Sequence, residues 1–100
     1  MSTHTQILYQ LVFGTKSHAH TLTAESRQEL FKYIGGGLKK KNCHLYRING
    51  VEDHLHIVTH LHPSVALASL IKDIKLASSE YIKYAGTFQK FGGWQDGTGD

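Results

Sequence analysis

Two histidines around one leucine, His54-Leu55-His56, are the residues whose type and spacing could do chemistry. They lie in Val51-Glu52-Asp53-His54-Leu55-His56-Ile57-Val58-Thr59-His60, which alternates apolar and polar residues over most of its length. That period of two is the signature of a half-buried strand. Leu55, Ile57, Thr59 and Leu61 then point to one face, and His54, His56, Val58 and His60 to the other. Residues two apart on a strand share a face at roughly 6.6 Å separation, so both imidazoles can reach one divalent ion. The same spacing also describes two surface histidines on an exposed strand. Asp53 and His60 are further candidates, for orienting a ligand or for contacting phosphate.

The elements that must position this pair follow in chain order. Residues 6–15 are rich in β-branched, aromatic and other apolar side chains and predict a first strand. Lys16-Ser17-His18-Ala19-His20 is polar and lacks a period, so it reads as a loop whose histidines are either exposed or ligands. Thr23 suits a helix N-cap, Glu25 the first turn, and Leu30, Phe31, Ile34 and Leu38 one apolar stripe. Gly35-Gly36-Gly37 interrupts the stripe at about 1 kcal/mol per glycine. Leu38 keeps the period, and Lys39, Lys40 and Lys41 suit a helix C-terminus, so the helix is expected to continue to about Lys41. The glycines would then let another backbone approach closely. The lysines form a solvated helix end or a phosphate contact.

Asn42 is a natural C-cap, and Cys43-His44-Leu45-Tyr46-Arg47-Ile48 predicts a second strand. Asn49-Gly50 then predicts a tight hairpin turn with the histidine strand as its second arm. Pro63 stops that strand, and Ser64 can cap a second helix with Leu67, Leu70, Ile71, Ile74, Ala77 and Tyr81 on its apolar side. Lys72, Lys75, Ser79 and Lys83 form a basic stripe on the other side, either solvated or a nucleic-acid contact. From Thr87 onward glycines interrupt three aromatic residues, and no closing strand is visible. The order is that of an α+β, ferredoxin-like βαββαβ domain with an antiparallel sheet and both helices on one face. The last strand is expected to be missing. His54 and His56 belong on the open face.

One hundred residues, 40% of them apolar, make a single small globular domain over 1–100. The single cysteine, Cys43, excludes an internal disulfide framework and fits a reducing cytoplasm. No apolar run approaches membrane length, and residues 1–5 are polar, unlike a signal peptide. A formal charge of +3 permits a polyanionic partner.

These residues resemble a known family, the small HUH transposases of bacterial insertion sequences of the 200/605 type, which use one catalytic tyrosine. The resemblance rests on Leu11-Val12-Phe13-Gly14-Thr15-Lys16, Leu45-Tyr46-Arg47-Ile48-Asn49-Gly50 and Asp53-His54-Leu55-His56. It continues through Pro63-Ser64-Val65-Ala66-Leu67, Leu70-Ile71-Lys72-Asp73-Ile74-Lys75 and Trp94-Gln95-Asp96-Gly97. It implies metal-assisted transesterification of single-stranded DNA, with His54 and His56 holding Mg²⁺ or Mn²⁺ (other divalent ions being possible) on the scissile phosphate. It further implies a tyrosine nucleophile that leaves a 5′-phosphotyrosine, hairpin DNA as substrate, and a homodimer joined through its sheets. Lys72, Lys75 and Lys83 would be DNA contacts.

In the family, Gln-x-Gly is followed by Tyr-Gly, a strand and a helix carrying the tyrosine and a further metal ligand. Here Gln95-Asp96-Gly97 is followed by Thr98-Gly99-Asp100, so the chain is expected to be truncated or a fragment. Tyr81, expected in the core, and Tyr84, a weak candidate, do not match the nucleophile's place. No serine or threonine is recognisably paired with a base. The chain is therefore expected to bind metal and DNA without nicking. Two other readings stand beside it: a non-catalytic single-stranded nucleic-acid-binding module, supported if Tyr9 or Tyr46 lies on the open face, and a structural relic.

Overall fold

The computed structural model describes residues 7–96. Gln6 of the expected first strand, the polar start, and Gly97, Thr98, Gly99 and Asp100 lie outside the described residues. The elements are β1 (Leu8–Gly14), a single 3-10 turn (Lys16–His18), α1 (Ala24–Lys40), β2 (Leu45–Gly50), β3 (His54–His60) and α2 (Leu67–Ala85). The strands form an antiparallel sheet in the order β1-β3-β2. Leu55, Ile57 and Thr59 of β3 are fully buried on one side of this sheet. Leu11 and Phe13 of β1, Leu30, Phe31, Ile34 and Leu38 of α1, and Leu70, Ile74 and Ile82 of α2 complete the same core. Each large apolar side chain buried this way contributes about 1.5–3 kcal/mol. This is the expected α+β, ferredoxin-like arrangement, with both helices on one face.

α1 runs through its three glycines as the period of Leu38 predicts. A Cβ on Gly35 would lie 3.2 Å from Leu45 Cδ2, whereas Gly36 and Gly37 face open space. One glycine of the three thus serves a close approach, and what approaches is a side chain and not a backbone. After Lys41, Asn42 takes a left-handed conformation (φ 58°), and the Cys43 N–H returns to the Leu38 carbonyl at 3.0 Å.

The tight Asn49-Gly50 turn does not form. Both residues end β2, opposite His56 and Leu55, and the chain reverses through Val51, Glu52 and Asp53. The Val51 N–H closes this longer turn on the His54 carbonyl at 2.9 Å. Gly50 is required here by proximity, since a Cβ would stand 2.8 Å from the His54 carbonyl oxygen.

α2 also departs from expectation at its start. Its N-cap is Ala66, with no side-chain cap bond, and Ser64 contacts His62 instead. Its buried stripe is Leu70, Ile74, Ser78 and Ile82, while Ala77 is exposed and Tyr81, half-buried, stacks on Tyr33 with centroids 4.4 Å apart. The stripe is rotated because Ser78 can be buried at little cost. Its hydroxyl donates to the Ile74 carbonyl and accepts the Trp94 indole N–H at 2.9 Å.

Trp94 brings the C-terminal segment back into the core, packed against Phe13 and Phe91 at 6.1 and 4.9 Å. Around it the Lys16 N–H donates to Gly93 and the Gln95 N–H to Gly14, at 2.9 and 2.8 Å. The segment thus starts to pair, through the Thr15–Trp94 bridge, at the outer edge of β1. That edge is where the closing strand of a βαββαβ sheet belongs, although no fourth strand forms among the described residues.

Ser78→Ala leaves the buried indole N–H without an acceptor, a loss of about 1–3 kcal/mol. Urea denaturation followed by fluorescence of the single tryptophan is expected to show that loss as a lower midpoint at unchanged slope.

Candidate functional site

The site is built on the face of β3 that the helices leave open. Antiparallel register sets His54 opposite Gly14, His56 opposite Val12 and Asn49, and Val58 opposite Gln10 and Arg47. Directly paired residues share a face, so His54 and His56 project together with Gln10, Val12 and Asn49, and all five are exposed. β2 adds an irregularity. Leu45 pairs with Thr59 and Arg47 with Val58, so Tyr46 is an extra residue in a bulge. Tyr46 and Arg47 are in consequence both exposed, while Leu45 and Ile48 on either side pack toward the core. Tyr9, by contrast, packs against the core. None of the three strands contains a carboxylate.

Asp53 sits just before this face, and its backbone is held from two directions. The Thr15 N–H donates to the Asp53 carbonyl at 2.9 Å, and the Thr21 and Leu22 N–H groups donate to Glu52 at 3.0 and 2.9 Å. The buried Thr15 hydroxyl has one hydrogen, given to Ala19 at 2.7 Å in preference to Asp53 at 3.1 Å. Held this way, Asp53 Oδ1 lies 2.9 Å from His54 Nδ1, and its Oδ2 lies 3.9 Å from His20 Nε2. The hydrogen bond from His54 lowers the Asp53 pKa from its ordinary value. Partial burial opposes that shift, and the charges of His54 and His20 add to it. An ionised carboxylate only accepts, so His54 Nδ1 carries the hydrogen and the Nε2 of the neutral ring keeps its lone pair.

The other candidates lie apart. His60 shares the open face at the far end of β3, where its Nδ1 receives the His44 N–H at a long 3.4 Å. Lys72 and Lys83 are exposed on α2, in the helix layer, and Lys75 donates to the Gln95 carbonyl at 2.8 Å. Tyr84 is 94% exposed on the same helix. Ser64 does have a base beside it, correcting the reading from sequence. Its hydroxyl is 2.6 Å from His62 Nδ1, in the loop after β3 and at the opposite end of the strand from His54. A cavity of about 630 Å³ opens between α1 and α2, lined by Tyr33, Gly36, Gly37 and Ala77, on the other side of the sheet from the histidines. No helix among the described residues is long and apolar enough to cross a membrane.

A family model for IS200-like transposases matches residues 3–97. The chain belongs to that family. In fold it is similar to a crystal structure of a provisionally assigned transposase from Deinococcus radiodurans R1, with a TM-score of 0.87 at 19% identity. That match covers 98% of this chain and 79% of the other. It is also similar to a REP-associated tyrosine transposase solved with a REP hairpin, with a TM-score of 0.66 at 15% identity. There the coverage is 98% of this chain and 59% of the transposase. No curated protein matches the chain.

Sequence analysis left Tyr46 as a conditional candidate for the open face and did not foresee two features of the site. His20 approaches Asp53 across the loop, and the bulge turns Tyr46 and Arg47 to the histidine face. Neither contact leaves a signal in local spacing. The hydrogen bond from His54 to Asp53 has a direct readout. Nitrogen-15 chemical shifts of the neutral His54 ring are expected to report the Nδ1–H tautomer, and Asp53→Ala to return the ring to the Nε2–H form. Unchanged shifts in the variant would contradict the assignment.

Proposed function

We propose that this chain supplies the metal- and DNA-binding half of a site for single-stranded DNA cleavage and strand transfer. The observation that carries the reading is the placement of His54 and His56 side by side on an open, carboxylate-free sheet face, in a chain of the IS200-like transposase family. His54, with its Nδ1 on Asp53, offers Nε2 as a ligand, the usual arrangement of a metal-binding imidazole. Among the described residues no group of three histidine, cysteine or acidic side chains could hold an ion. Two imidazoles are a softer donor set than Mg²⁺ prefers, so the Mg²⁺ or Mn²⁺ proposed here would draw most of its ligands from phosphate and water, and another divalent ion would suit the pair as well. When bound, such an ion polarises the phosphoryl oxygens of the scissile phosphate.

The rest falls to the protein. Asp53 fixes the ring of His54, with His60 left for a phosphate contact farther along the strand. A tyrosine that attacks the phosphorus expels the 3′-oxygen, so one phosphoester replaces another and no external energy is consumed. None of the five tyrosines lies on the open face at the His54 end. Tyr9 faces the core, Tyr46 lies beyond Val58, and Tyr33, Tyr81 and Tyr84 lie on the helices. The nucleophile is thus assigned to none of these five but to a tyrosine supplied by another polypeptide segment. Hairpin DNA, the ligand in the REP-associated transposase structure, is the substrate proposed here.

His54→Ala and His56→Ala are each expected to weaken Mn²⁺ binding at least tenfold by titration calorimetry, and Asp53→Ala by about ten- to a hundredfold. With a single-stranded hairpin and Mn²⁺, the chain alone is expected to form no phosphotyrosyl adduct, and to do so when a tyrosine-bearing C-terminal peptide is added. An adduct abolished by Tyr84→Phe would overturn the assignment of the nucleophile. The exposed Tyr46 favours a second reading, a non-catalytic single-strand-binding module. DNA affinity unaffected by metal removal and by His54→Ala would select it.

The outer edge of β2 has no strand partner among the described residues, nor does the outer edge of β1 from Leu8 to Val12. Unpaired edges associate readily, so we propose a homodimer joined through the sheets. Sedimentation at micromolar concentration is expected to give twice the chain mass, and a monomer would refute it.

A further inference from the structure

We propose that His44, Tyr46 and Arg47 form a base-binding subsite for single-stranded DNA, at the end of the open face away from His54. This deepens the proposed function and rests on it, adding a second point of contact that fixes which stretch of a strand meets the histidine pair.

The bulge carries the argument. A regular β2 would turn Tyr46 and Arg47 to opposite faces. The register shift between Leu45 and Arg47 leaves both exposed, on the side opposite the core. The Tyr46 ring is 48% exposed and is braced by His44, whose ring meets it at 78° with centroids 4.5 Å apart. His44 is in turn tied to β3, because its carbonyl accepts both the His60 N–H at 3.0 Å and the Thr59 hydroxyl at 2.8 Å. A large aromatic surface is thus held in place at the edge of a sheet.

The charge around it fits a polyanion. Arg47 is exposed directly beside Tyr46, and no strand carries a carboxylate. Aromatic rings stack on bases and a guanidinium pairs with phosphate, so this combination suits an unpaired strand better than a duplex, whose bases are hidden. Tyr46 stands beside Val58 and Thr59, two to five residues along β3 from the histidine pair, or about 7–16 Å at the strand rise. A strand crossing the face can therefore place one base on Tyr46 and a phosphate a few nucleotides away at His54 and His56.

The test is fluorescence anisotropy with the full chain in Mn²⁺ buffer, using a single-stranded oligonucleotide and a set in which each nucleotide in turn is abasic. Tyr46→Ala is expected to lose about five- to fiftyfold in affinity while Tyr46→Phe retains it, as stacking requires. One abasic position should cost the wild type a similar factor and cost Tyr46→Ala nothing further. Arg47→Gln should reduce the slope of log affinity against log salt by about 0.7, the share of one phosphate contact on a single strand. This keeps the test decisive if Tyr46→Ala folds poorly, which the tryptophan emission would show. A flat abasic scan, equal losses for Tyr46→Ala and Tyr46→Phe, or an unchanged salt slope in Arg47→Gln overturns the subsite while leaving the proposed function standing. A wild type that binds no single strand overturns both, and tighter binding of the ribose version overturns DNA as the occupant.

Discussion

The pairing of β3 on both edges is the constraint from which the remaining structure follows. Its backbone hydrogen bonds run to β1 on one side and β2 on the other, so the strand cannot rotate. Leu55, Ile57 and Thr59 must then all face the helices, and none of the three retains exposed surface. A slip of one residue would exchange the faces. It would expose two large apolar side chains and bury imidazoles among hydrocarbon, each unpaired polar group costing about 1–3 kcal/mol. The face on which the histidines stand and the integrity of the core are therefore one and the same fact.

What depends on periodicity was legible in the sequence, and what depends on distant contacts was not. The alternation of β3 and the stripe of α1 follow from spacing alone, and so did the fold class and the shared face of His54 and His56. Asn49-Gly50 misled because a local turn preference lost to a tertiary one. The carbonyls of Glu52 and Asp53 accept hydrogen bonds from Thr21, Leu22 and Thr15, 30 to 38 residues earlier in the chain, and this favours the longer turn. Ser78 was unreadable for a similar reason. A serine on a buried stripe is tolerable only because Trp94, sixteen residues on, supplies the indole N–H that its oxygen accepts. The bulge at Tyr46 likewise belongs to a pair of strands and to neither strand by itself.

Thr15 joins these distant contacts. Its backbone bridges Trp94 on one side and donates to Asp53 on the other, and its hydroxyl closes the loop on Ala19. The C-terminal segment, the loop after β1 and the β2–β3 turn thus meet at one buried residue. Lys75, read from sequence as part of a basic stripe, fastens the same segment through Gln95. The distance between the helix layer and the open face is short enough that a residue serving the core can also set the position of a group beside the histidines.

Asp53 shows what that coupling does. A face suited to a phosphodiester chain gains by excluding carboxylates, yet an imidazole ligand needs an acceptor on its second nitrogen. The sheet meets both demands by keeping its strands free of acids and placing one aspartate in the turn that precedes β3. One carboxylate oxygen is taken by His54, and the other is approached by His20. Because Asp53 is held through its carbonyl by Thr15 and through Glu52 by Thr21 and Leu22, the ring of His54 inherits its orientation from the loop after β1. The geometry of the histidine pair is governed by residues 15–22 as much as by the strand that carries it. A change in that loop would act on His54 without touching it.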